Sequence, residues 1–120
     1  MTRTNKSARN AGTGHETKIA NYLALHVDDR IERRTKNGNK DRGDVSGLRH
    51  MGLRVVVECK DRGGQFFIGS WLTETEVERG NDDAGIGVVV AKRRGTTDPG
   101  DQVVVCTVRD LVALLTGERP

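Results

Sequence analysis

Apolar positions fall into runs of two different periods along the 120-residue chain. In residues 13–27, Ile19, Ala20, Leu23 and Val27 recur at helical spacing, with Tyr22 and His26 on the flanks. This predicts an amphipathic helix, and Thr13 followed by Glu16 fits a capping box at its start. Residues 30–35 alternate, with Ile31 inward, and residues 36–42 form a polar turn rich in Gly and Asn. Residues 43–47 are a short β-prone piece between glycines. Leu53-Arg54-Val55-Val56-Val57 is apolar and β-branched apart from one Arg, the pattern of a buried strand. A turn at 61–64 precedes a helix at 68–79, with Ile68, Trp71, Leu72 and Val77 as its apolar set. Ser70 or Thr73 would cap a shorter version, and Trp71 is read as a packing anchor. Residues 86–91 form a second buried strand, parallel to the first because a helix joins them. A Pro/Gly loop at 96–100, a third strand at 102–107 and a closing helix at 108–115 follow, the helix turning Leu111, Leu114 and Leu115 inward. The order α-β-β-β-α-β-β-α predicts an α/β fold with a central mixed sheet flanked by helices. Residues 1–10, with Arg3, Lys6 and Arg9, read as a mobile basic arm and residues 11–120 as one domain.

The strand at 53–57 ends in Glu58-Cys59-Lys60, which a core strand does not need. Alternation puts Glu58 and Lys60 on one face and Cys59 on the other. Asp44 lies in Gly43-Asp44-Val45-Ser46-Gly47. A hairpin through residues 48–52 would bring it beside Glu58. Two carboxylates and a lysine then converge. Carboxylates hold a hard divalent cation, which lowers the pKa of a bound water and stabilises charge on a phosphate. The plainer alternative is a Glu58–Lys60 ion pair on a half-exposed strand.

Charge distribution sharpens this picture. Net charge is +3, but residues 1–42 hold ten Lys and Arg against five Asp and Glu, and residues 43–120 ten against twelve. Arg33, Arg34, Lys36, Lys40 and Arg42 cluster before Asp44, and Lys92, Arg93 and Arg94 end the second strand. Such clusters suit the phosphates of DNA. Aromatics are only 3% of the chain, which favours contact through the backbone over base stacking. The arm reads equally as a phosphate contact or as a tail with incidental charge. Glu16 is either a capping-box acid or a reach from the first helix to the metal site. His15 and His26 read as surface or flank residues. Glu74, Glu76 and Glu78 read as an exposed acidic face, with Glu74 alone able to turn to the site.

Cys59 and Cys106 lack the spacing of a zinc site and point to a reducing compartment. The chain has no apolar run of membrane length, so a soluble, cytoplasmic protein of a bacterium or an infected host cell is expected, without membrane partners.

With these residues in place, the chain resembles the PD-(D/E)XK nuclease superfamily, whose core runs α-β-β-β-α-β. Asp44, Glu58 and Lys60 match its motif, and Glu16 matches the first-helix acid of many members. Within it the chain is most similar to small Holliday junction resolvase-type proteins of actinobacteria and their phages. That likeness rests on Arg33-Arg34, on Asp41 to Gly47, on Val57-Glu58-Cys59-Lys60, on Trp71-Leu72, and on the stretch from Gly85 to Arg94 with its Val-Val-Val-Ala-Lys-Arg-Arg-Gly ending. The proline that usually precedes the Asp is Gly43 here. The resemblance implies a restriction-endonuclease-like core and Mg²⁺-dependent cleavage of DNA, with Mn²⁺ able to substitute. Asp44, Glu58 and the Cys59 carbonyl would bind the metal, and Glu16 a second metal or a metal-bound water. Lys60 would position or activate the attacking water, and the products would be a 5′-phosphate and a 3′-hydroxyl. It also implies a homodimer acting in DNA recombination on branched DNA. Phe66 and Phe67 are candidates for the dimer surface or, alternatively, a cap on the core. Two rival functions stand beside this one: another nuclease of the same fold acting on duplex, flap or single-stranded DNA, and a non-catalytic DNA-binding module.

Overall fold

The β-branched run at 53–57 extends into the central strand of the molecule. The computed structural model describes residues 4–34 and 43–120. Their order is α1 (Asn5–His26), β1 (Glu32–Arg33), β2 (Val45–Ser46), β3 (Arg49–His50), β4 (Leu53–Lys60), α2 (Ile68–Asn81), β5 (Ile86–Ala91), β6 (Val103–Val105) and α3 (Val108–Thr116). A 3₁₀ turn at Pro99–Asp101 precedes β6. The fold is α/β, a mixed six-stranded sheet flanked by helices. The path runs β1-β2-β4-β5-β6, and β3 pairs with β4 beside it. β4 and β5 are parallel, from Val55 opposite Ile86 to Lys60 opposite Ala91. The other pairings are antiparallel, including Val45 opposite Val57. The expected hairpin between the Asp44 segment and β4 therefore forms, with β3 added inside it. Among the described residues no helix is long and apolar enough to cross a membrane.

The two sheet faces pack differently. Ile19 and Ala20 of α1 and Ala113 of α3 cover Val55, Val57, Cys59, Ile86, Val88 and Val90. On the other face Trp71 of α2 lies over Val89 and Ala91, bordered by Val103 and Val105. Ile31 is buried, as its alternation requires.

Four expectations need correction. Helix α1 starts at Asn5, because the Thr4 hydroxyl caps it by accepting the Ser7 N–H at 3.0 Å. Residues 5–10 are thus the first turns of this helix. Thr13 lies inside the helix, where its carbonyl accepts from the Thr17 hydroxyl, so Glu16 is no capping-box acid. Helix α2 buries Trp71, Thr75 and Glu78, while Ile68 and Val77 are exposed. The sheet beneath it carries Glu58 and Lys60, so the inward stripe is partly polar. Helix α3 buries Ala113 and Asp110 and leaves Leu111 and Leu115 exposed. Asp110 dictates this rotation: it accepts the Gly87 N–H at 3.0 Å, the Arg119 guanidinium at 2.6 Å and the Thr107 hydroxyl at 2.7 Å. Finally, His15 is buried, with Nε2 3.0 Å from the Val90 carbonyl, and is not a surface histidine.

Candidate active site

The carboxyl end of β4 gathers the chemistry. Alternation sends Cys59 into the apolar core and Glu58 with Lys60 toward α2. The Lys60 ammonium lies 3.3 Å from Glu58 and 3.0 and 2.9 Å from the two Glu74 oxygens. Glu58 and Lys60 are buried, and the Glu74 side chain is 45% exposed. The cluster therefore opens to solvent past Glu74. One turn further along α2, Glu78 is 1% exposed. Carboxylate oxygens of Glu58, Glu74 and Glu78 all lie within 4.8 Å of one another. Among the described residues this is the group of acids or metal-ligating side chains compact enough to hold an ion. Glu74 thus faces the site, and Glu78 is part of it. Glu78 is therefore not on an exposed acidic face, whereas Glu74 is exposed and reaches the site from its rim.

Burial on its own would lower the Lys60 pKa. The hydrogen bond to Glu74 and the charge of Glu58 outweigh it, and the net shift is upward. Lys60 is therefore an ammonium at neutral pH.

Asp44 holds the neighbouring peptide. Its Oδ2 accepts the Cys59 N–H at 2.7 Å, and its own N–H donates to the Val57 carbonyl at 2.9 Å. Gly43 before it has φ +92°, and a Cβ there would fall 2.9 Å from Val56 Cγ1. Proline, fixed near −65°, has no place in this bend, which accounts for glycine at that position. Burial pushes the Cys59 thiol pKa far up, and the charges of Asp44, Glu16 and Glu58 add to it. Of these acids, Asp44 and Glu16 stand outside the tight glutamate cluster. Glu16 is instead paired with Arg33 at 3.0 Å.

The cationic residues divide into two ends. At the carboxyl ends of β4 and β5, a groove is lined by Lys92, Arg93 and Arg94 with Asp61 and the Gly63-Gly64 turn. The Lys92 ammonium donates to the Arg93 and Thr96 carbonyls, so that side chain also braces its own loop. At the opposite end of β4, Arg34 pairs with Asp82 at 3.3 Å. Lys36, Lys40 and Arg42 lie outside the described residues. Phe66 and Phe67 are both partly exposed and pack edge-on or tilted against Trp71, with ring centroids about 6 Å apart.

Sequence reasoning missed Glu78. Its signal was the spacing of Trp71, Thr75 and Glu78, which share a helix face with Glu74 opposite a strand end already carrying Glu58 and Lys60. No family model, curated protein or solved structure matches the chain.

Proposed function

We propose that this protein is a metal-dependent endodeoxyribonuclease with a restriction-endonuclease-like core, selective for branched DNA as in the junction resolvases that its sequence resembles. The observation that carries the reading is the Lys60 ammonium held between Glu58 and Glu74 at the end of the central strand, with Asp44 on the adjoining Cys59 amide. A bare ion pair would not require two further glutamates within 4.8 Å, one of them on a neighbouring helical turn and buried. Gathering like charges in a half-buried site costs desolvation and repulsion, which a hard cation offsets. An all-oxygen donor set suits Mg²⁺ or Mn²⁺.

Glu58 and Glu74 would hold the metal, with Asp44 and the Cys59 carbonyl on its strand side as the motif implies. Bound there, Mg²⁺ would supply a water of lowered pKa and a counter-charge for the phosphate. Without a metal, Lys60 carries its proton, which fits a positioning role. It orients the attacking water through its N–H donors and stabilises the anionic phosphorane-like charge as the P–O bond breaks. Glu78, buried beside Glu58, brings a third carboxylate within reach of the same ion. Arg93 and Arg94, both exposed at the rim of the groove, would take flanking phosphates. Two such sites in a homodimer would make the paired nicks that resolve a junction.

The test is cleavage of labelled DNA in Mg²⁺, comparing a four-way junction, a flap, linear duplex and single strand, with intact protein and Glu58→Gln. Paired nicks confined to the junction and lost in the variant are the expected result. Equal cutting of all four substrates removes branch selectivity and keeps the nuclease. Tight binding with no cutting in Mg²⁺ or Mn²⁺ overturns hydrolysis in favour of a binding module.

A further inference from the structure

The chain has two Phe, one Trp and one Tyr, and three of these four meet at the start of α2. Trp71 is buried against Val89 and Ala91. Phe66 and Phe67 lean on it, with ring centroids 6.1 and 6.0 Å away and tilts of 58° and 73°. The contact leaves Phe66 40%, Phe67 49% and the following Ile68 46% exposed. Single exposed apolar residues are ordinary, but three in succession form a patch. Trp71 braces the two rings, so a group that stacks on them orders little that is not already ordered.

The surroundings say what covers the patch. On one side lies the Gly63-Gly64 turn, where the Arg94 guanidinium donates to the Gly63 carbonyl at 2.7 Å. A Cβ at Gly64 would collide with the Arg94 side chain, so glycine lets Arg94 lie across the turn, two residues before Phe66. Arg93 is exposed in the same groove. On the other side, Phe67, Ser70 and Glu74 follow one another along α2 at helical spacing, and all three are exposed. That line runs over open surface for seven residues, about 10 Å along the axis. The rings thus stand between the cations and the mouth of the carboxylate cluster. Cations beside exposed aromatics suit a nucleic acid, whose phosphates are neutralised while its bases stack. A second copy of the chain fits less well. Three half-exposed side chains offer about 300 Å², against about 800 Å² per partner in a stable dimer. A two-fold contact there would also set the Arg93–Arg94 rims of both copies against each other.

We propose that Phe66 and Phe67 stack on a base exposed at a branch point and so supply the selectivity for branched DNA. The choice of DNA rests on the nuclease reading above, whereas the stacking itself needs no metal. Inside a duplex each base is covered by its neighbours. An unpaired base, or the last pair of an arm, exposes a face on which a ring can stack. The rings therefore favour a branch by a contact that linear duplex does not offer, while Arg93 and Arg94 hold the backbone of either.

The experiment reads binding in EDTA, without cleavage, on a four-way junction and a linear duplex. Each carries 2-aminopurine, at the branch point or at the matching internal position. The expected result is a fluorescence change on the junction alone and tighter binding of the junction than of the duplex. The double variant Phe66→Leu/Phe67→Leu keeps an apolar cover on Trp71 and removes both π-faces, and thermal unfolding checks its fold. It is expected to lose the fluorescence change and to bind the junction about tenfold or more weakly, with duplex binding unaltered. The double variant Phe66→Tyr/Phe67→Tyr restores both. An abasic site at the branch point weakens binding by the intact protein to a like degree, a test that needs no variant. Full affinity for the abasic junction, or full junction preference in the folded leucine variant, overturns the stacking and leaves the nuclease standing. Ring-dependent junction preference without any cleavage in Mg²⁺ or Mn²⁺ supports the stacking and removes hydrolysis. An intact dimer that the leucine variant converts to a monomer, with no effect of the abasic site, assigns the patch to a second copy and overturns the proposal.

Discussion

The two faces of the sheet are built from the same strands and differ in what they are for. Toward α1 and α3, Val55, Val57, Ile86, Val88 and Val90 meet Ile19, Ala20 and Ala113 in an apolar layer. Toward α2, Val89 and Ala91 meet Trp71, and the layer then gives way to Glu58, Lys60, Glu74 and Glu78. Alternation along β4 makes this division possible: one strand supplies Val57 and Cys59 to the first face and Glu58 and Lys60 to the second. The first face holds the fold together, and the second gathers the like charges that the proposed metal site would use. Gly87 serves the join. A Cβ at that position would approach Thr75 Cγ2 to 3.0 Å, so glycine lets α2 come close enough to bring Glu74 to Lys60.

The sharpest break of this comparison is Ile86→Ala. Ile86 is fully buried in the apolar layer. Its truncation is expected to cost about 3 kcal/mol, a large drop in melting temperature for a chain this size. DNA binding per folded molecule should stay as it was. A loss of binding larger than the loss of folded protein would show that the two faces are not separable.

Asp110 is the charged exception on the apolar side. Burial opposes its ionisation, but the Gly87 N–H, Thr107 and Arg119 together hold its pKa below the ordinary carboxylate value. Asp110→Asn is expected to cost about 2 kcal/mol at pH 7, the scale of a hydrogen-bonded buried charge. The sign follows from linkage. A depressed folded-state pKa contributes stability above the unfolded pKa near 3.8, and loses it as pH falls through the lower folded value. Urea unfolding of both proteins from pH 7 to pH 2.5 should show a gap that is constant at first and closes below about pH 4. A gap that persists at low pH would mean that the side chain acts by shape and not by charge.

These two faces were not equally legible in the sequence. Strands β4 and β5 declare themselves because a β-branched run buried on both sides needs no partner to be recognised, and their parallel pairing follows from the helix between them. Glu58 and Lys60 stand out by contrast with that run. The α2 face was obscure because its inward positions are Trp71, Thr75 and Glu78, and a polar stripe facing a polar strand end has no hydrophobic period. The start of α1 was misplaced for a different reason. Thr4 and Thr13 are both fair caps, and the first turns are exposed, so no burial pattern separates them. Leu111 and Leu115 misled in the opposite sense. Helix α3 is oriented by the hydrogen bonds of Asp110, and its leucines follow.

Glu74→Gln probes the polar face with a smaller effect on stability. Half of that side chain is exposed, so its pairing with Lys60 contributes under about 1 kcal/mol once solvent screening is counted. Its expected effect lies in metal response. Thermal stabilisation of the intact protein by Ca²⁺, measured without DNA, should fall severalfold in the variant. An equal response in both would move the metal toward Asp44 and away from α2.

The smallest effect at ordinary pH concerns Lys60 itself. Its folded-state pKa is raised, so the stability it brings is complete below the unfolded value of 10.5 and is lost as pH rises through the folded one. Between pH 6 and pH 9 the difference in unfolding free energy between intact protein and Lys60→Met should therefore be flat. Above about pH 10.5 the intact protein should lose stability relative to the variant, because other groups titrate in both and only the ammonium distinguishes them. A slope appearing between pH 7 and pH 9 would mean that Lys60 deprotonates in the folded protein near neutrality. Lys60 could then accept a proton from the attacking water, and the polar face would supply its own base. A flat profile leaves the ammonium as a positioning charge in the proposed hydrolysis, whose attacking water would then lose its proton to a carboxylate or to solvent.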